Sequence, residues 1–330
     1  MQQRTLGRTD RPVSVVGLGT WQLGADWGEV TEEQARDVLE ASAESGVTFY
    51  DTADVYGDGR SEQIVGRFVA AHPDAGFTVA TKMGRRMEQV PDNYVADNFR
   101  TWVDRSRRNL GTDRLDLVQL HCPPSAVIDD DATYEALDAL VQDGSIAAYG
   151  VSVETVDQAL SAITRPHVAS VQIIVNAFRL KPVELVLPAA AQAGVGIIAR
   201  VPLASGLLSG RYTRSTTFAP DDHRSYNRDG SAFDIGETFS GVDYDTGLQA
   251  AAEFAELVGS SLDDVTPAQA AIAWLWQLPG VTTVIPGART TAQARANAAA
   301  GAVGPLPGAL LDGVRAIYDE RLRESVHPRW

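Results

Sequence analysis

Short apolar runs alternate with longer, more polar segments about eight times along the chain. The runs cover residues 13–21, 48–54, 77–83, 115–121, 147–153, 170–176, 196–202 and 282–288. They are rich in Val, Ile and Leu and bounded by Gly, Asp or Pro, the pattern of parallel strands buried on both faces. The segments between them read as helices. Thr31 with Gln34 has capping-box spacing, and Thr266-Pro267 sets an N-cap before a first-turn proline. Ala35, Val38 and Leu39 give an apolar stripe at i, i+3 and i+4, with the small Ser42 at its edge. Eight unbroken alternations predict an α/β protein, a (β/α)8 TIM barrel rather than an open sheet. Residues 5–16 predict a short N-terminal hairpin. Residues 203–246, rich in Gly, Ser and Asp, exceed ordinary connection lengths and predict a functional loop or lid at the C-terminal mouth. No linker interrupts the pattern, so residues 1–330 are expected to form a single domain.

Composition narrows the function classes. Hydrophobic residues make up 44% and charged residues 22%, ordinary for a soluble globular protein. No stretch approaches the ~20 apolar residues of a membrane span, and the first residues lack a signal-peptide profile. The single cysteine, Cys122, leaves no internal disulfide to form, so a cytoplasmic location is expected. A net charge of −15 argues against a nucleic-acid or membrane surface while allowing a local basic pocket. Of the 28 basic side chains only Lys82 and Lys181 are lysine. A lysine kept among arginines points to a site that needs an amine of adjustable pKa.

A barrel of this kind carries its catalytic groups at the C-terminal strand ends. The second strand leaves through Asp51-Thr52-Ala53-Asp54 and Tyr56-Gly57, the third through Thr81-Lys82, the fourth through Leu120-His121. A carboxylate, a phenol, an ammonium and an imidazole are thus expected around one mouth. Taken singly, Asp51 and Asp54 also read as turn formers or metal ligands, Tyr56 as a loop tyrosine and His121 as a structural histidine. Cys122 beside His121 suggests a nucleophile pair, but strand neighbours point to opposite faces. The remaining histidines show no metal-ligand spacing, and no metal is expected.

These residues, with Gly46-Val47 and Ser61-Glu62, make the sequence resemble the aldo-keto reductase superfamily over essentially its whole length. The resemblance implies a tetrad of Asp51, Tyr56, Lys82 and His121. Hydride reduction of a carbonyl leaves an alkoxide, so a proton donor must stand beside the oxygen. A free phenol titrates near ~10, and a neighbouring ammonium lowers that value while a buried carboxylate keeps the ammonium charged. Tyr56 is therefore the expected acid–base, Lys82 its tuning cation, Asp51 the partner of Lys82, and His121 the group that orients the carbonyl.

The resemblance also implies a cofactor. Gly17-Leu18-Gly19 fails as a dinucleotide fingerprint because Gln22 replaces the third glycine. The nicotinamide is instead expected across the barrel mouth, its carboxamide meeting Ser152 and Gln172, with Val153 where many members carry Asn. Arg200 takes the place of the aromatic that usually stacks on the ring, and is expected to put positive charge there. Leu203, Ser205, Gly206 and Leu207 would wrap the pyrophosphate, with Arg211 a further phosphate contact. Gly287, Arg289, Gln293 and Asn297 resemble the adenosine-phosphate segment, and Arg289 at a helix start favours NADP(H) over NAD(H). Trp21, Trp27 and Met83 would line an apolar pocket for a small carbonyl substrate. Two alternatives stand beside this reductase: a nucleotide-binding regulatory or accessory subunit, and an NAD-dependent sugar or alcohol dehydrogenase.

Overall fold

A computed structural model describes residues 1–24 and 30–330. The chain opens with an antiparallel hairpin, β1 (Gln3–Thr5) and β2 (Pro12–Ser14). Eight parallel strands follow: β3 (Leu18–Gly19), β4 (Phe49–Asp51), β5 (Thr78–Met83), β6 (Leu117–His121), β7 (Tyr149–Ser152), β8 (Val168–Ile174), β9 (Gly196–Arg200) and β10 (Val281–Val284). They pair in sequence order. Parallel bridges Val16–Val284 and Gly19–Gly287 join the two ends and close the (β/α)8 barrel. Each strand coincides with a predicted run to within a few residues, and helices fill the intervals. The capping boxes at Thr31 and Thr266 both form.

Strand alternation divides the side chains between two environments. Outward residues such as Tyr50, Val118, Val151 and Val171 join the large core beneath the helices. Inward residues at the N-terminal end of the barrel, Phe49, Ala80, Leu117, Ile198 and Ile285, form a separate apolar cluster with Leu6 and Val13 of the hairpin. The hairpin is thus a plug. Its Gly7, at φ +50°, sits so close to the strand starts that a Cβ there would lie 1.9 Å from the Ala169 carbonyl oxygen.

Residues 203–246 are not a bare loop. Short helical turns at Ala204–Ser209, His223–Tyr226, Ile235–Glu237 and Phe239–Gly241 fold back over the barrel mouth before the long helix Tyr244–Ser261 begins. Val201, Ala204, Ser205, Phe239 and Ser240 all adopt positive φ, which non-glycine residues hold only when their surroundings impose it. The Asn176 amide supplies part of that constraint, donating to the Val201 carbonyl at 2.9 Å and to Ser240 Oγ at 2.7 Å.

Candidate active site

Two residues beyond the apolar cluster, the inward positions turn polar. Asp51 ends β4, Lys82 lies near the end of β5, and Gln119 and His121 lie on β6; all are buried. The Lys82 ammonium is ion-paired with Asp51 and donates to the Thr52 carbonyl at 2.9 Å and to the Tyr56 hydroxyl at 3.4 Å. The other Asp51 oxygen accepts from Gln172 at 2.7 Å and Gln119 at 3.2 Å. Asp51 is therefore held from three strands and Lys82 from two segments.

Tyr56 owes its position to the turn that follows. Gly57 and Gly59 have φ of +58° and +97°, and a Cβ on Gly57 would lie 2.2 Å from the Gly24 carbonyl oxygen. Only glycine fits there. The helix Arg60–Ala70 then presents Ser61 to Thr20 and Thr52, at 2.8 and 2.9 Å, and the buried Glu62 to Thr81 at 2.6 Å. These bonds fasten the Tyr56 turn to the strand exits that carry Asp51 and Lys82.

Burial opposes the charge on Lys82, but Asp51 and Tyr56 outweigh it and hold the ammonium above the usual lysine range. Burial pushes the Tyr56 phenol up. Lys82 pulls it down without reversing the direction, a correction to the expectation of a net lowered value. The hydroxyl is therefore protonated at neutral pH. Burial and the cations Arg85, Lys82 and Arg200 drive His121 well below the usual histidine range, so its ring is neutral. Its ring centre lies 6.0 Å from that of Tyr56, nearly perpendicular. Asp54, one turn away, has both carboxylate oxygens buried without a hydrogen-bond partner among the described residues, and burial with the neighbouring Glu62 raises it to about 7.

A cavity of about 860 Å³ opens above this cluster and runs to the turn after β10. Asp51, Tyr56 and His121 line one end, while Lys82 is buried behind them. Ser152, Gln172 and Arg200 line the wall beside them, Leu203, Ser205, Gly206 and Arg211 line the stretch that follows, and Gly287, Arg289, Gln293 and Asn297 line the far end. The far end is a built turn: Gln293 accepts from the Arg289 backbone N–H at 2.8 Å, and Asn297 donates to the Gly287 carbonyl at 3.1 Å. Both sit in the helix Thr291–Ala299, capped by Thr290. Among the described residues no group of His, Cys, Asp and Glu could hold a metal ion, and no helix is long and apolar enough to cross a membrane.

Several expectations change. Met83 is 1% exposed and belongs to the core beneath the helices, because it alternates with the inward Lys82. Leu207, expected against pyrophosphate, turns into the same core and packs on Gly247. Arg200 does not bring an uncompensated charge: it is ion-paired with Glu237 and donates to the Val153 carbonyl at 3.0 Å. Burial pushes the Cys122 thiol up, and its sulfur lies 3.6 Å from Ser152 Oγ, away from a nucleophile's role. Trp21 does line the cavity, stacked 6.1 Å from Tyr56 and tilted 5.3 Å from His223. Trp27 lies outside the described residues.

The structure adds lining residues the sequence reading missed: Arg85, His223, Phe233 and Glu237. Arg85 was within reach, since it follows Lys82 at the same strand exit. The other three lie in 203–246, where no periodicity marks an inward position. Burial lowers His223 to about 4, so it too is neutral.

Comparison with known proteins gives one consistent match. The model of the Aldo/keto reductase family covers residues 15–319. An uncharacterized oxidoreductase of Mycobacterium tuberculosis is 33% identical over 87% of this chain and 84% of its own. Among solved structures, a glycerol dehydrogenase from Gluconobacter oxydans aligns with a TM-score of 0.80 at 28% identity, covering 99% of this chain and 98% of that one. An aldo-keto reductase from Klebsiella pneumoniae, solved in complex with NADPH, aligns at 0.69 with 25% identity over 96% of both chains.

Proposed function

The chain belongs to the aldo/keto reductase family of oxidoreductases, and from that premise we propose that it reduces an aldehyde or ketone with NADPH, Tyr56 supplying the proton. One observation carries the reading: a protonated phenol 3.4 Å from an ammonium that Asp51 keeps charged, at the end of a long cavity.

The cavity's donors suit a dinucleotide phosphate. Ser152 and Gln172 offer polar groups to a carboxamide, the positive-φ Ser205-Gly206 turn offers backbone N–H groups to a pyrophosphate, and Arg289 beside a helix start offers a cation to a ribose phosphate. The NADPH complex of the Klebsiella pneumoniae relative supports this assignment. When bound, the nicotinamide supplies the hydride that reduces the carbonyl carbon. The substrate oxygen sits between Tyr56 and His121. The neutral His121 donates a hydrogen bond that fixes the carbonyl, and Tyr56 passes its proton to the oxygen as negative charge develops there. Lys82 stabilises the tyrosinate left behind. Gln119 and Gln172 hold Asp51 so that the ammonium stays charged throughout. Trp21, His223 and Phe233 form an aromatic wall beside the carbonyl position that receives the substrate's apolar body.

The test is a spectrophotometric screen of NADPH and NADH oxidation against chemically varied aldehydes and ketones. Turnover with NADPH exceeding that with NADH is expected. Tight nucleotide binding without turnover on any carbonyl would favour an accessory, binding-only role.

A further inference from the structure

Toward the Tyr56 end of the cavity, the described residues include three ion pairs: Lys82 with Asp51, Arg85 with Glu154 at 3.1 Å, and Arg200 with Glu237. The first pair joins two barrel strands. The third joins the barrel to the segment that covers it, since Arg200 ends β9 and Glu237 ends the short turn Ile235–Glu237. Both line the cavity, and Arg200 is only 7% exposed.

The surroundings fix that carboxylate. Ser205 Oγ donates to the Glu237 carbonyl at 2.9 Å and accepts from the Phe239 backbone N–H at 2.9 Å. Gly236 leaves no room for a side chain, because a Cβ would lie 2.4 Å from Arg179 Nη1. Arg85, Arg179 and His223 face Glu237 as well, while Glu154 and Cys122 face Arg200.

A nicotinamide ring is cationic when oxidised and neutral when reduced, so a fixed charge beside it changes the affinity for one form far more than for the other. An uncompensated, buried Arg200 would repel the oxidised ring. We propose that Glu237, by cancelling Arg200, sets the ratio of affinities for the oxidised and reduced dinucleotide, and so acts as a specificity-determining residue for the cofactor's redox state. This rests on the proposed function, which brings the nicotinamide to the Tyr56 end. A unit charge a few ångströms from the ring, at the effective dielectric of a protein, is worth roughly tenfold or more in binding. Because Ser205 holds the Glu237 backbone from the turn assigned to the pyrophosphate, placing that turn also places the carboxylate.

Dissociation constants for NADP+ and NADPH, read from quenching of tryptophan fluorescence at about pH 8, test this in the wild type, Glu237→Gln, Glu237→Asp and Arg200→Gln. In Glu237→Gln the NADP+ constant should rise about tenfold relative to that for NADPH. Glu237→Asp, which keeps the charge, should stay within about threefold of the wild-type ratio, and Arg200→Gln should shift the ratio toward the oxidised form. A ratio in Glu237→Gln within twofold of wild type overturns the proposal. Should that variant fail to fold, Arg200→Gln decides, and an unchanged or reversed ratio there overturns it. Failure of wild-type protein to bind either form would instead sink the proposed function.

Discussion

The two ends of the barrel interior are built from the same strands and differ by two residues. Phe49 and Asp51, Ala80 and Lys82, Leu117 and Gln119, Ile198 and Arg200 point the same way on β4, β5, β6 and β9. At the N-terminal end these side chains close on Leu6 and Val13 of the hairpin and exclude water. At the C-terminal end these four strands deliver polar groups that burial penalises, and the charges of Lys82 and Arg200 are tolerated because a carboxylate from another strand or from the covering segment meets each. One end stabilises the fold, and the other costs stability in exchange for chemistry.

Breaking the polar end should show in turnover. Tyr56→Phe removes the proton and little else, so kcat should fall roughly a thousandfold. The NADPH dissociation constant should stay within about threefold of wild type. Near-wild-type turnover in that variant would remove Tyr56 from its role. Breaking the apolar end should show in stability instead. Phe49→Ala, in the fully buried cluster on which the plug closes, is expected to cost about 3–5 kcal/mol by denaturant unfolding. A loss below about 1 kcal/mol would contradict the account of the plug.

Asp54 sharpens the contrast, since at the polar end its buried carboxyl has no hydrogen-bond partner among the described residues. Its folded value of about 7 lies above the ordinary 3.8, so the folded state holds the proton more tightly than the unfolded chain does. Stability is then lost as pH rises from about 4 through 7. Asp54→Asn should therefore raise stability, by about 2 kcal/mol more at pH 8 than at pH 5. An equal effect at both pH values would show that the carboxyl is not the source. The smallest effect belongs to Met83→Leu, a near-isosteric change in the outer core. Stability should change by less than about 1.5 kcal/mol and KM for any carbonyl not at all. A shifted KM would return Met83 to the pocket.

Much of this was legible from local pattern. Buried parallel strands and capped helices leave signals within a few residues of sequence, and the exits of β4, β5 and β6 carry their polar residues where a barrel must expose them. Met83, expected in the pocket, faces the outer core, because alternation along β5 turns the neighbour of the inward Lys82 outward. Glu237 and His223 were missed for another reason: a segment without periodicity says nothing about which side chains turn inward.

Alternation of apolar and polar stretches, glycines where a turn needs positive φ, and the order of strand exits determine the barrel and the end that carries the chemistry, because those choices are made by neighbours along the chain. Whether Arg200 stands alone or paired with a carboxylate, whether Tyr56 gains or loses acidity, and which part of 203–246 closes over the cavity were decided only when distant segments met. Burial and the field of a partner depend on distance in space, and a carboxylate 37 residues away in sequence becomes the nearest charge only after folding.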